Sequence, residues 1–156
     1  MKALVVYYSR TGHTKTVAEA IADMLSCDKE KIVDTQNRSG PIGFLRSGFQ
    51  ARRKSLIKIN PIEKDISQYD LVIVGTPVWA GNVSSPVRSF LHTYKDQLKD
   101  IAFFSTHGGD EPQKEFSEME ITCGKKPVSI LSLSSGEVEK EDYSEKVKLF
   151  IGNLKP

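Results

Sequence analysis

Ala3-Leu4-Val5-Val6-Tyr7 is an apolar run that no polar residue interrupts, and Leu71-Val72-Ile73-Val74 and Ile101-Ala102-Phe103-Phe104 repeat it further along the chain. A strand that does not alternate apolar and polar residues is covered on both faces, as in a parallel sheet flanked by helices. Val128 to Leu133 reads as a further strand, and Ile32-Val33 as a short second one. Helical stripes separate these runs. Val17, Ala18, Ile21, Ala22 and Leu25 repeat at three-four spacing. Val87, Phe90, Leu91 and Tyr94 do the same, with Pro86 suited to a first turn. Phe116 and Met119 mark a polar helix, and Tyr143, Val147, Phe150, Ile151 and Leu154 a last one. Five strands alternating with helices predict right-handed crossovers and an α/β, three-layer, doubly wound parallel sheet.

Between the second and third strands the pattern loosens. Arg38-Ser39-Gly40-Pro41 reads as a turn. Ile42, Leu45, Phe49 and Leu56 then suggest a helix with a modest apolar stripe, broken by Gly43 and Gly48. A length of 156 residues suits one domain, 1–156. No apolar run approaches the roughly 20 residues of a membrane span. One Lys, a short apolar run and a polar loop do not make a signal-peptide layout, so a cytoplasmic location is expected. Cys27 and Cys123 stand far apart in no metal-like or CxxC spacing, which argues against a disulfide framework, a metal site or a dithiol centre. A formal charge of +2 is too small to call for a nucleic-acid partner.

In such sheets ligands sit at the carboxyl ends of the strands. Three irregular segments follow strands: 9–14, 75–84 and 105–111. In the first, Ser9, Thr11 and Thr14 offer hydroxyls, Gly12 permits a tight backbone, and the helix start presents unpaired N–H groups. That combination suits a phosphate; it also suits an ordinary turn in which Thr11 or Thr14 caps the helix. The second segment brings Trp79 and the third His107, both able to lie against an aromatic ring. Gly81, Gly108 and Gly109 allow close backbone approach. A phosphorylated, partly flat ligand is the expectation. The G-x-G-x-x-G of dinucleotide folds and the G-x-x-x-x-G-K-[ST] of nucleoside triphosphatases are both absent from the first loop.

Tyr8-Ser9-Arg10-Thr11-Gly12-His13-Thr14, Gly75-Thr76-Pro77-Val78-Trp79-Ala80-Gly81-Asn82 and Ser105-Thr106-His107-Gly108-Gly109, in this order, resemble the flavodoxin-like FMN-binding family over essentially the whole chain. The resemblance is to short-chain flavodoxins and implies a sheet ordered 2-1-3-4-5 with FMN bound noncovalently at its carboxyl edge. It implies that Ser9, Thr11, Gly12, His13 and Thr14 hold the FMN phosphate, with Arg10 in the same loop and its side chain free to face solvent. Pro77, Val78, Trp79, Ala80, Gly81 and Asn82 would line the isoalloxazine, the Gly81 peptide or Asn82 lying near N5. Thr106, His107, Gly108 and Gly109 would face the pyrimidine end. The Tyr that many flavodoxins stack on the flavin is missing from the third loop. His107 or Trp79 takes its place, or that face is open to a substrate. His107 would either stabilise a reduced anionic flavin or contact only backbone.

The function so implied is a low-potential electron carrier between redox partners, with an NAD(P)H-dependent quinone or flavin reductase as the alternative and a module without flavin behind both. Residues 35–60 carry Arg38, Arg46, Arg52, Arg53, Lys54 and Lys58 and not one acid. Electron-shuttling flavodoxins are typically acidic, whereas this chain has a pI near 8.5. Arg46, Arg52, Arg53 and Lys54 are therefore expected to dock an acidic redox partner or an anionic cofactor, against the reading that they form a merely solvated helix face. Acids cluster at Asp110, Glu111, Glu115, Glu118 and Glu120, and again at Glu137, Glu139, Glu141 and Asp142.

Overall fold

β1 (Ala3–Tyr7) is buried at every position in the computed structural model, which describes residues 1–109 and 114–154. It pairs in parallel with β2 (Asp28–Lys31) on one side and with β3 (Leu71–Trp79) on the other. Beyond β3 lie β5 (Asp100–His107) and β6 (Ile130–Ser134), so the sheet runs β2-β1-β3-β5-β6. The two-residue β4 (Asn82–Val83) folds back antiparallel on the end of β3. With β4 set aside, this is the expected 2-1-3-4-5 order.

Alternate strand residues feed two cores. On one face Val5, Ile73 and Phe104 meet α1 (His13–Leu25), α5 (Ser135–Glu139) and α6 (Ser144–Gly152) through Ile21, Val138 and Phe150. On the other face Val6, Val74 and Phe103 meet α3 (Ser85–Tyr94) and α4 (Glu115–Cys123) through Val87, Phe90 and Met119. The remaining helix, α2 (Gly40–Arg52), runs through Gly43 and Gly48 without a break.

Four strands differ from the sequence reading: β5 runs on through His107 into the third segment expected to be irregular, β6 is Ile130–Ser134 where 128–133 was expected, and the second and third strands differ as follows. The second strand is Asp28–Lys31, just ahead of Ile32-Val33; Ile32 is buried but only continues the ladder, its N–H donating to the Tyr7 carbonyl at 2.7 Å. A charged edge strand resists pairing with other chains, and for the same reason it carries no apolar signature. The segment from Gly75 on, expected to be irregular, is regular as far as Trp79. Proline is tolerated there because the Gly75 carbonyl already takes the last bond from the β1 side, from Tyr8 N–H at 3.2 Å. Two residues on, Pro77 has no β1 partner left for its missing N–H to fail. Asp110 and Glu111, the end of the third expected loop, lie outside the described residues. Among the described residues no helix is long and apolar enough to cross a membrane.

Candidate functional site

The three expected loops meet at the carboxyl edge, and specific contacts hold them together. Thr14, fully buried in the first turn of α1, shares a hydrogen bond with Thr106 of β5 at 2.7 Å, joining the first loop to the third. Tyr8 meets Trp79 edge-on at 5.5 Å between ring centroids, joining the first to the second. The Lys114 N–H donates to the Gly81 carbonyl at 3.2 Å, tying the second to the start of α4.

The first loop closes on itself, with the Gly12 N–H donating to Ser9 Oγ at 3.1 Å. Gly12 stands at the N-cap of α1 with φ 106°, a left-handed conformation that favours glycine. Neither Thr11 nor Thr14 caps the helix: no side chain does, and no acid occupies its first turn. The amides and positive dipole end are thus left to an incoming anion. Thr11 Oγ1 lies 3.2 Å from His13 Nδ1, and His13 Nε2 lies 3.0 Å from Glu139 Oε1. Arg10 is half-buried, and its Nε donates to the Arg38 carbonyl at 2.8 Å, which ties the loop to the start of α2. A cleft of about 440 Å³ borders the loop on its β2 side, lined by residues including Tyr8, Arg10, Lys31 and Arg38. Burial and the nearby Asp34 push the Tyr8 phenol above its ordinary value, with Arg38 and Arg10 pulling the other way.

In the second loop, Ala80 (φ 50°) and Gly81 (φ 76°) form the turn between β3 and β4. Positive φ at both positions is the signature of a type I′ hairpin. The Asn82 amide donates to the Ala80 carbonyl at 2.6 Å, so that side chain braces the turn. Pro77, Val78 and Trp79 are half-buried along the end of β3. Trp79 carries the Arg38 guanidinium over its ring at 4.9 Å. In the third loop His107 accepts a bond at its carbonyl from Ser135 Oγ at 3.3 Å, while its Nδ1 is buried with no partner among the described residues. A Cβ added at Gly108 would meet nothing within 4 Å among the described residues, so space is open on that side of its backbone. An uncapped helix start, an orphaned ring nitrogen and open space beside Gly108 fit a phosphorylated planar ligand of the FMN type. Among the described residues no group of three or more His, Cys, Asp or Glu could hold a metal.

Sequence reasoning missed two features. Arg38 belongs to the basic segment 35–60, but it is buried, paired with Asp34, and donates from Nη1 to Ser47 Oγ at 3.1 Å. Glu115 and Glu118, grouped only as clustered acids in the sequence, are buried between α3 and α4. The available signal was their spacing: Glu115, Glu118, Met119 and Cys123 share one helical face.

A family model described as Flavodoxin matches residues 2–149. The chain is 30% identical over 131 residues to an NAD(P)H dehydrogenase (quinone) of Cupriavidus metallidurans, covering 70% of this chain and 60% of that one. It is 30% identical over 92 residues to a protein of the same name from Chromohalobacter salexigens, covering 57% and 45%. The chain thus spans about half the length of these curated relatives. Among solved structures, a flavoprotein in complex with FMN from Lactobacillus acidophilus superposes with a TM-score of 0.72 at 24% identity, covering 89% and 97%. Oxidised flavodoxin 1 from Bacillus cereus gives 0.58 at 17%, covering 99% and 100%.

Proposed function

Because the chain belongs to the flavodoxin family, we propose that residues 1–156 act as one FMN-binding domain that carries electrons at low potential between redox partner proteins. Bound FMN supplies the redox chemistry, and the protein supplies binding, orientation and electrostatics. Ser9 to Thr14 hold the phosphate with backbone N–H groups and hydroxyls. Pro77 to Asn82 and Thr106 to Gly109 flank the ring, with His107 Nδ1 available to a heteroatom of its pyrimidine end.

One observation supports a protein partner above all. Ile42, Phe44, Leu45 and Phe49 of α2 each keep 60% or more of their surface in solvent. Around them stand Arg46, Arg52, Arg53 and Lys54, none in an ion pair among the described residues. Arg46, Phe49 and Arg53 also line a hollow of about 670 Å³. This crest adjoins the second loop, since a Cβ on Gly48 would lie 3.9 Å from that of Ala80. An apolar centre in a cationic rim suits an acidic redox protein, the apolar part giving affinity and the charges steering encounter. Electron-transfer rate to such a protein should fall as ionic strength rises. A flat salt dependence overturns the docking.

The curated relatives favour a second reading, an NAD(P)H-dependent quinone or flavin reductase. Steady-state NAD(P)H oxidation with a quinone and no added reductase separates the two. Rapid turnover there replaces the carrier with the reductase.

A further inference from the structure

Between α3 and α4, beneath the roots of the second and third loops, lies a polar layer with no part in the site described above. Ser85 and Arg88 come from α3, Glu115 and Glu118 from α4, and Ser105 from β5, all more than nine-tenths buried. Arg88 is paired with Glu118 through Nη2 and Oε2, so those two charges cancel. Glu115 is left over. It is 1% exposed, its Oε1 accepts a bond from Ser105 Oγ at 2.8 Å, and among the described residues no cation pairs with it. Among the described residues its Oε2 has no partner, nor have Glu118 Oε1, Arg88 Nε and Ser85 Oγ.

An uncompensated carboxylate is costly to bury. Its position offsets part of that cost: Glu115 is the first residue of α4, where the helix dipole favours negative charge. The neighbours of Glu115 lead to all three loops. Ser105 faces Thr76 across the β3–β5 ladder and precedes Thr106, which is bonded to Thr14. Lys114, on the other side, is bonded to Gly81.

We propose that Glu115 is a positioning residue whose buried charge lowers the reduction potential of FMN bound at this edge. Held by Ser105, it fixes the root of the third loop and places one negative charge behind the site. Each electron added to the flavin brings negative charge towards a carboxylate that no cation offsets, through an interior that screens poorly. The proposal rests on FMN as the cofactor and not on which partner delivers electrons.

The test is the midpoint potential of the FMN-loaded chain, equilibrated with a reference dye, together with the affinity of the flavin-free chain for oxidised FMN. Glu115→Gln keeps the bond to Ser105 and removes the charge. It should raise the preference for reduced over oxidised flavin about tenfold, a rise of about 30 mV for the two-electron couple, with oxidised-FMN affinity within about twofold of native. Glu115→Asp, which keeps the charge, should hold the native potential. Arg88→Gln, which uncovers Glu118 as well, should lower it. An unmoved potential in Glu115→Gln, or equal shifts in the Gln and Asp variants, overturns the proposal. If Glu115→Gln does not fold, Glu115→Leu, which removes the charge at similar volume, takes its place: a rise supports the proposal and an unmoved potential sinks it. Failure of the native chain to bind FMN shows in the affinity measurement and overturns the cofactor reading and this proposal together.

Discussion

α1 and α2 are each thirteen residues long and each carries several large or mid-sized apolar side chains, yet they present them in opposite directions. α1 turns Val17, Ala18, Ile21 and Ala22 into the core. α2 turns Gly43, Ser47 and Ala51 inward at four-residue spacing and holds its phenylalanines and aliphatics outward. Its anchor is polar: Ser47 Oγ donates to the Gly43 carbonyl at 2.7 Å and accepts from Arg38. An apolar stripe thus stabilises the fold in one helix and stays in solvent in the other. Removing apolar mass from each should separate the two roles. Ile21→Ala opens a cavity in a fully buried site and should cost about 2–5 kcal/mol in urea unfolding. Leu45→Ala on α2 should stay within about 0.5 kcal/mol of native. A loss of several kcal/mol in the second variant would mean that α2 is a core helix after all.

The glycines of α2 test its inward face. A Cβ on Gly43 would run into the Arg38 carbonyl, whereas one on Gly48 has only the Ala80 Cβ at 3.9 Å, an ordinary contact. Alanine normally gains up to about 1 kcal/mol over glycine inside a helix. Gly48→Ala should realise part of that gain, while Gly43→Ala should instead lose about 1–3 kcal/mol to crowding. Thermal melts that move in the same direction for both variants would show that α2 does not pack this closely.

The outward face gives a smaller effect, read in rates. Replacing Leu45 and Phe49 together by Ala should slow electron transfer to an acidic partner about tenfold, equivalent to about 1.4 kcal/mol. FMN affinity and unfolding should not change. Equal loss of FMN binding would place these side chains in the cofactor site instead of at a docking surface.

How much of this was legible depended on burial. The strands covered on both faces announced themselves in Ala3–Tyr7 and Leu71–Val74, and with them the edge where the loops converge; the sheet order came from the family resemblance that the three loops carry. The edge strand Asp28–Lys31 did not, because its side chains face water and its signal lies in the backbone ladder. The stripe Ile42, Leu45, Phe49 was visible as periodicity, but periodicity gives a phase without saying which side faces the core. Residues 43, 47 and 51, all small, held that information. Glu115, Glu118 and Arg38 could not be read as buried because charge ordinarily marks surface. Their burial follows from partners on other elements: Ser105, Arg88 and Asp34.

The smallest expected effect belongs to the structural half, where α1 hands over to β2. The Tyr69 hydroxyl donates to Asp28 Oδ2 at 2.7 Å, fastening the start of β2 to the segment before β3. Burial, reinforced by Asp28, pushes the Tyr69 phenol up to about 12. The folded chain therefore holds that proton more tightly than the unfolded one, whose phenol loses it near 10. Its contribution is complete below pH 10 and is lost as pH rises towards 12. Asp28 works in the other direction: the bond from Tyr69 lowers its carboxyl, so its contribution is present above about pH 4 and is lost as acid protonates it. Tyr69→Phe should flatten both limbs of a plot of melting temperature against pH. The alkaline limb should not vanish, because burial also raises Tyr7 and Tyr8. An unchanged slope between pH 10 and 12 in this variant would assign the alkaline limb to those two tyrosines alone. It would also leave β2 held by its ladder to β1 and not by this bond.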